Sequence, residues 1–477
     1  MPYKDLRDFI ERLEAENELK RIKAEVDWYL ELSHIAKLNE EEKGPALLFE
    51  NVKGYKTPVF TSAFSTTEKL ALTLDMPKTA TIPEMAREWV SRTKEKIPPK
   101  TVSTGPCKEN IDMDEEVDLL KFPVPHMFEH DGGRYIGTAC CVITKDPETG
   151  WINVGTYRQM VHDKRTIGVQ ILRGKDADLH RMKYAERGEP MPVAVAIGVD
   201  PVIFTCSSTL FPPGECEYDY VGALRGSPVE VVKGETVDLP IPATAEIVLE
   251  GEIDPKALKD EGPFGEYTGY YSAFGAPGPS PKPFAKIKCV TYRDNPIHWT
   301  TTVGMPITDT HMIQSLNRTS TLWSQLEALG VPGIKSVYLP PASGGRFIAI
   351  VSVKQLKPGH ANQVGTAVIS TPTGEYGIKV IIVVDDDIDP TNMDEVLWAI
   401  SMRCQPLRDV QIIKRGRDTS LDPSIPAAER TGMIAITSRM IIDATLPYEW
   451  EVKPTKVALN EEVVKRVKAK WKEYFPQ

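Results

Sequence analysis

Residues 261–270 read Glu-Gly-Pro-Phe-Gly-Glu-Tyr-Thr-Gly-Tyr. Two carboxylates stand five positions apart, with Gly262, Pro263 and Gly265 between them. Glycine opens backbone angles closed to other residues, while proline fixes one angle and removes a donor. The decapeptide is therefore a shaped loop that aims its side chains, with Phe264, Tyr267 and Tyr270 as apolar anchors. Paired carboxylates beside apolar surface suit proton transfer, because each raises the other's cost of ionising. The competing reading is a tight turn with two solvated glutamates.

Around this loop, from about residue 126 to 300, short β-like runs recur at 134–144, 151–161, 192–199, 243–252 and 285–292, with turn signals between them. This pattern predicts a closed or split β-barrel with helical insertions such as 177–187. From residue 308 the pattern changes to helices at 311–329, 362–370 and 392–403 alternating with strands at 347–353 and 380–384. The apolar run 380–384 ends in Asp385-Asp386-Asp387. A buried strand followed closely by a helix belongs to an α/β layer. Upstream, Leu6, Phe9, Ile10 and Leu13 give residues 5–19 a helical spacing. Short strands follow at 47–49 and 59–60, then a helix over 82–96 starting near Pro83. Prolines 98, 99, 106, 123 and 125, with an acidic run at 112–118, mark a boundary. The last segment, 460–474, is an amphipathic helix whose stripe (Val463, Val464, Val467, Trp471) needs cover from a neighbouring subunit or its own domain.

The chain has 477 residues, enough for two or three domains. At 41 % hydrophobic and 26 % charged residues it has the composition of a soluble globular protein. Its 57 basic and 67 acidic residues give a net charge of −10, which argues against nucleic acid as a partner. The apolar runs are too short for a membrane span, and residues 1–8 lack a signal-peptide core. Seven cysteines without a Cys-x-x-Cys pair read as reduced thiols of a cytoplasmic protein. Phosphate-loop, dinucleotide-fingerprint, His-Glu-x-x-His and Gly-x-Ser-x-Gly motifs are missing, which weighs against the chemistries they serve.

Two further polar stretches interrupt the β-like sequence. In Asn153-Val154-Gly155-Thr156-Tyr157-Arg158, strand alternation puts Asn153, Gly155 and Tyr157 on one face and Thr156 and Arg158 on the other. An arginine facing a barrel interior requires an anion, while one facing outward is merely solvated. The second stretch is Cys206-Ser207-Ser208-Thr209, followed by Glu217 in residues 212–220. Hydroxyls suit a phosphate and a nearby carboxylate suits a hard cation; a polar loop with incidental acids is the alternative.

Residues 153–160, 217–226 and 261–270, three separated motifs in order, make the chain resemble the UbiD-type decarboxylases, which act reversibly with prenylated FMN. The resemblance spans nearly the whole sequence and implies an α+β protein in three parts. These are an N-terminal α/β domain (1–110), a flavin-reductase-like split β-barrel that binds prenylated FMN (111–305), and a C-terminal α/β oligomerisation domain with a terminal helix (306–477). It places the catalytic arginine on Arg158 and the two glutamates on Glu261 and Glu266. Glu266 is implied as proton donor, with Arg158 and Glu261 holding it and the substrate carboxylate. Physical chemistry agrees with that division, since three charges in one dry pocket titrate as a coupled set.

The family's divalent ion, manganese or magnesium, bridges protein and cofactor phosphate through an asparagine, a histidine and a glutamate. Asn153 and Glu217 match the first and last. The histidine follows a Gly-Lys pair in the family, and here Asp176 follows Gly174-Lys175. Aspartate is a competent ligand for a hard cation, although an aspartate opening helix 177–187 also suits a cap. Lys175 carries no acceptor and is expected on the cofactor phosphate. His180, one turn further on, is a third candidate ligand or an exposed side chain. Ser207, Ser208 and Thr156 are expected along the cofactor, and K+ is a further ion the family implies. The implied activity is decarboxylation, or carboxylation in reverse, of an aromatic or conjugated unsaturated acid with CO2 as co-product. A flavin prenyltransferase would supply the cofactor and a homo-oligomer, dimer or hexamer, the assembly. The alternatives are a phenyl-phosphate-type carboxylase subunit and a non-catalytic scaffold subunit of a carboxylase.

Overall fold

The computed structural model describes residues 3–272, 279–426, 429–430 and 435–475. The N-terminal part is built on a four-stranded sheet, ordered Leu19–Ile22, Ala46–Phe49, Val59–Thr61 and His298–Trp299. Its last strand comes from the far end of the central region and pairs parallel with Val59 and Phe60. Helix Leu6–Ala15 buries Leu6, Phe9, Ile10 and Leu13, as its spacing requires, and Asp5 caps it by accepting from the Arg7 and Asp8 amides. It stops short of residue 19 because Leu19 is already paired with Ala46 in the sheet. Helix Ile82–Arg92 starts in a Thr81/Glu84 capping box with Pro83 in its first turn, and ends four residues before the predicted limit.

The central sheet has nine strands, and every pairing in it is antiparallel. Its main path runs Tyr135–Gly137, Gln159–Asp163, Thr166–Gly168, Phe284–Tyr292, Ile247–Ile253, Met191–Ile197, Cys140–Lys145, Ile152–Gly155, with Asn110–Met113 added beside Phe284–Tyr292. Alternate side chains feed two cores. Cys141, Ile143, Ala194, Ala196 and Val248 enter one, and Cys140, Val142, Val193, Val195 and Leu249 the other. Burial on both faces explains why these runs read as continuously apolar.

The path also explains the shape. Ile152–Gly155 lies at one end and Gln159–Asp163 next to the other, yet only Thr156, Tyr157 and Arg158 join them. Three residues span at most about 14 Å between flanking Cα atoms, so the sheet must curl until its ends nearly meet. It is a curled half-barrel, and among the described residues no ladder closes it, so of the closed and split forms that the strand pattern predicts the closed one is not formed. The predicted runs 134–144 and 151–161 are each two strands, the second broken at this seam.

The C-terminal part is a five-stranded sheet ordered Ile334–Tyr338, Ile348–Val353, Val380–Asp385, Ile436–Ala444 and Val410–Arg417. Its three inner strands are parallel and its two outer pairings antiparallel. The long helix Asp309–Ala328 connects it to the centre. The terminal helix Glu461–Ala469 buries no residue, and Trp471 beyond it is 53 % exposed, so its own domain does not cover the stripe. All seven cysteines are free thiols. No helix among the described residues is long and apolar enough to cross a membrane.

Candidate active site

The seam places Arg158 inside. Its guanidinium reaches Glu261 twice, from Nε to Oε1 at 3.0 Å and from Nη2 to Oε2 at 3.2 Å, and bonds Glu266 through Nη1. The three side chains are 9 %, 1 % and 8 % exposed, which rules out both the solvated arginine and the solvated turn. Phe264 lies under the guanidinium, 4.6 Å from ring centre to Cζ. Tyr135 donates its hydroxyl to Glu261 at 2.9 Å.

The loop that carries both glutamates is tied at each turn. Gly262 has a φ of +86°, a region open to glycine. Gly132 donates to the Pro263 carbonyl at 2.7 Å, and a Cβ on Gly132 would lie 2.0 Å from the Gly262 oxygen. Asp131 accepts from the Gly265 amide at 2.9 Å and from the Phe128 amide at 3.1 Å. Tyr267 is held at both ends, its carbonyl by His311 Nε2 at 2.6 Å and its hydroxyl by Arg346 at 2.8 Å.

The environment drives the two carboxylates apart. Burial pushes Glu261 up, but the charge and hydrogen bonds of Arg158, with the Tyr135 hydroxyl, outweigh it and hold Glu261 below the usual carboxylate range. Burial also pushes Glu266 up; Arg158 offsets this only in part, the charge on Glu261 adds to it, and the net direction is upward. Two carboxyls on a shared arginine, one shifted toward its ionised form and the other toward its protonated form, make an arrangement suited to proton transfer.

Glu266 and Arg158 line a cavity of about 270 Å³ together with Asn153, Thr156, Lys175, Asp176, Ser207, Ser208 and Glu217. The structure therefore gathers the sequence-predicted site residues around one cavity except Glu261, which pairs with Arg158, and the alternative ligand His180. Thr156 contacts both serines, Ser207 Oγ at 2.8 Å and Ser208 Oγ at 3.1 Å. Those serines end helix Pro201–Ser207, which Asp200 caps and which the Phe204–Trp299 ring pair (5.1 Å) anchors to the N-terminal sheet.

The candidate ligand set is two carboxylates and an amide; among the described residues no group of three or more His, Cys, Asp or Glu is placed to hold a metal. Glu217 accepts from the Val154 amide at 2.7 Å, and the Asn153 amide nitrogen donates to Thr144 at 3.1 Å. Burial pushes Glu217 up to about 8, with Asp176 contributing, and burial raises Asp176 as well. A buried and a half-buried carboxyl that both resist ionising, in an all-oxygen set, fit a hard cation that would relieve them. Asp176 is not the helix cap: it is the first residue of helix Asp176–Arg187, and Lys175 occupies the capping position without a side-chain bond. His180 is buried, not exposed. It pairs with Thr144 at 3.0 Å and stacks edge-on against Trp151, supporting Asn153 from behind.

Sequence reasoning missed Tyr135, Asp131, Arg318 and Arg346. Arg318 and Arg346 also line the cavity, from the C-terminal part. Burial pushes Arg318 down to about 9, and Arg346 adds to it, so the two guanidiniums repel across this wall. Lys175 and Arg346 both stand over the Tyr376 ring, at 5.1 and 4.9 Å. Neighbouring cationic side chains at a cavity wall fit a bound anion. Little local in sequence marks these residues, because Tyr135 and Asp131 reach Glu261 and Gly265 from 126 and 134 positions away, and Arg318 and Arg346 reach Thr373, Tyr376 and Tyr267 from 55 to 79 positions away.

Three family models match, described as the N-terminal, Rift-related and C-terminal domains of 3-octaprenyl-4-hydroxybenzoate carboxy-lyase, over residues 10–89, 100–306 and 311–444. A phenolic acid decarboxylase of Sedimentibacter hydroxybenzoicus is 36 % identical over 96 % of this chain and 94 % of its own length. A phenolic acid decarboxylase of Bacillus subtilis is 37 % identical over 94 % and 93 %. The vanillic acid decarboxylase of S. hydroxybenzoicus in open form superposes with a TM-score of 0.86 at 34 % identity, covering 99 % of this chain and 100 % of that one. The UbiD-class enzyme HmfF of Pelotomaculum thermopropionicum, solved in complex with FMN, gives 0.86 at 32 %, covering 97 % and 98 %. The chain belongs to the UbiD family of carboxy-lyases.

Proposed function

We propose that the chain is a prenylated-FMN-dependent, non-oxidative decarboxylase of an aromatic or conjugated unsaturated acid, able to run in reverse, with Glu266 as proton donor. One observation carries this reading: Arg158 sits between two buried carboxyls whose ionisation is driven in opposite directions, at the wall of a cavity. The phenolic and vanillic acid decarboxylases among the relatives favour an aromatic acid. The neighbour solved with FMN favours a flavin.

When bound, prenylated FMN supplies the electron sink that loss of CO2 from an sp2 carbon requires, a role no side chain fills. Asn153, Asp176 and Glu217 would hold the divalent ion. Thr156, Ser207 and Ser208 would contact the cofactor, and Lys175 would take its phosphate with help from Arg318 and Arg346. Arg158 and Glu261 orient the substrate carboxylate and Glu266. The bond to CO2 breaks, its electron pair stays on the substrate carbon, and the Glu266 proton moves to that carbon. In carboxylation Glu266 removes the same proton.

Asp176 in place of the family histidine is the observation that favours a non-catalytic scaffold subunit. The assembled Arg158–Glu261–Glu266 trio weighs against it, because a scaffold has no use for such a site. A phenyl-phosphate-type carboxylase would share the trio and differ in direction. The uncovered stripe of the terminal helix supports a homo-oligomer, and seven free thiols suit the cytoplasm. The test is production beside a flavin prenyltransferase, followed by anaerobic assay against a panel of hydroxybenzoic acids. Flavin absorbance with CO2 release is the expected result; a colourless product inert to the whole panel contradicts the reading.

A further inference from the structure

A second cavity, of about 40 Å³, adjoins the first. It is lined by Glu266, Thr268, Ser272, Ser280, Lys282 and Ser420, and shares Gln170, Leu172, Glu266 and Leu421 with the main cavity. Glu266 is thus the titratable side chain common to both. The small cavity also touches Tyr270 and Tyr271, which are 64 % and 38 % exposed, so it leads outward. A water needs about 10–15 Å³, so this space holds a few waters, and its hydroxyl-rich wall gives them partners. Strand Ser280–Lys282 forms one side, pairing with Lys259–Glu261 so that Ser280 lies opposite Glu261 and Lys282 falls on the same face as Ser280.

Each decarboxylation consumes one proton. Once substrate and cofactor fill the main cavity, water cannot reach Glu266 from that side. We propose that the small cavity is the proton port of Glu266, and that Lys282 is the positioning residue that restores the Glu266 proton through a water held there. This rests on the reading of Glu266 as proton donor. Glu266 gives its proton to the substrate carbon and is left as a carboxylate. A port water passes a proton to that carboxylate and takes one from the Lys282 ammonium, which regains its own from bulk water. The sum is one solvent proton and one carboxylate in, one C–H bond and one CO2 out. Burial, then the charge of Arg158, holds the Lys282 ammonium below the ordinary lysine range, which favours release, while the charges of Glu261 and Glu266 oppose that shift. Arg430 also lines the port, but a guanidinium holds its proton far more tightly than an ammonium, so Lys282 is the cation of this wall, among the described residues, that suits proton transfer.

The test uses holoenzyme carrying Lys282→Met, Lys282→Arg or Ser280→Leu, the last filling the port without touching a charge. The first turnover draws on a proton already in place. Each variant should therefore release a burst of about one CO2 per site and then turn over at least about 10-fold more slowly, with KM within about two-fold and a larger solvent deuterium isotope effect. Added methylamine should restore turnover in Lys282→Met. Lys282→Arg keeps the charge but holds its proton, so wild-type turnover in that variant overturns the relay, as does wild-type turnover in Ser280→Leu. If Glu266→Gln still exchanges the substrate proton with solvent, the proton-donor reading has failed instead, and the port with it.

Discussion

Arg158 grips Glu261 with two nitrogens, at 3.0 and 3.2 Å, and gives Glu266 only one. The unequal sharing favours ionisation of Glu261, while Glu266 is shifted toward its protonated form. Because Glu261's charge helps to raise Glu266, the two are linked in a testable way. Decarboxylation needs Glu266 protonated, so kcat should fall as pH rises through its elevated pKa. In Glu261→Gln that alkaline limb should move to lower pH, since Arg158 then acts on Glu266 alone. A pH–rate profile of the variant whose limb stays in place contradicts the coupling.

Asp131 touches neither arginine nor substrate cavity, yet it holds the Gly265 and Phe128 amides. Asp131→Ala leaves one buried and one half-buried donor unsatisfied, at roughly 1–3 kcal/mol for the buried one. Urea denaturation should register a loss of that order, and kcat should drop more than KM changes, because the loop no longer fixes Glu266. An unaltered kcat would show that the loop keeps its shape without this tie.

The loop's surroundings mark the limit of what the sequence discloses. The trio is legible because Arg158, Glu261 and Glu266 sit in short Gly-rich motifs, and the helical spacing of Leu6, Phe9, Ile10 and Leu13 is legible for the same local reason. The curl of the sheet is not, since it follows from a pairing order that only long-range contacts define; the strand pattern alone therefore leaves the closed and split forms both open. Arg346, Arg318 and Tyr135 act through partners distant in sequence. His180 looks exposed at the start of a helix, but Trp151 and Thr144 bury it.

Away from the site, Glu40 accepts from Ser62 at 2.9 Å and from Thr302, and burial, then the charge of Asp309, pushes it up to about 8. Unfolded, a glutamate titrates near about 4.3. Between those values the folded state takes up a proton that the unfolded chain does not, so this group's stabilisation is complete below about 4.3 and is lost as pH rises through about 8. The slope is at most about 1.4 kcal/mol per pH unit. Glu40→Gln keeps an acceptor and removes the titration, so its unfolding free energy should decline less than wild type between pH 5.5 and 7.5. Parallel declines contradict this.

For the ligand set, elemental analysis of purified holoprotein separates the roles at residue 176. Asp176→Ala should lose divalent metal while Asp176→His retains it, because imidazole and carboxylate both serve a hard-to-borderline cation. Equal, stoichiometric metal in wild type and Asp176→Ala removes Asp176 from the set.

The most direct measurement of the central claim is exchange of the substrate's reacting-carbon hydrogen with deuterated solvent, followed by NMR in wild type and Glu266→Gln holoenzymes of matched flavin content. The glutamine matches the glutamate in size and keeps an acceptor for Arg158, but it has no acidic proton to give. The account predicts exchange in wild type and a loss of at least about 100-fold in the variant, with its flavin absorbance unchanged. Exchange at the wild-type rate in Glu266→Gln would contradict it.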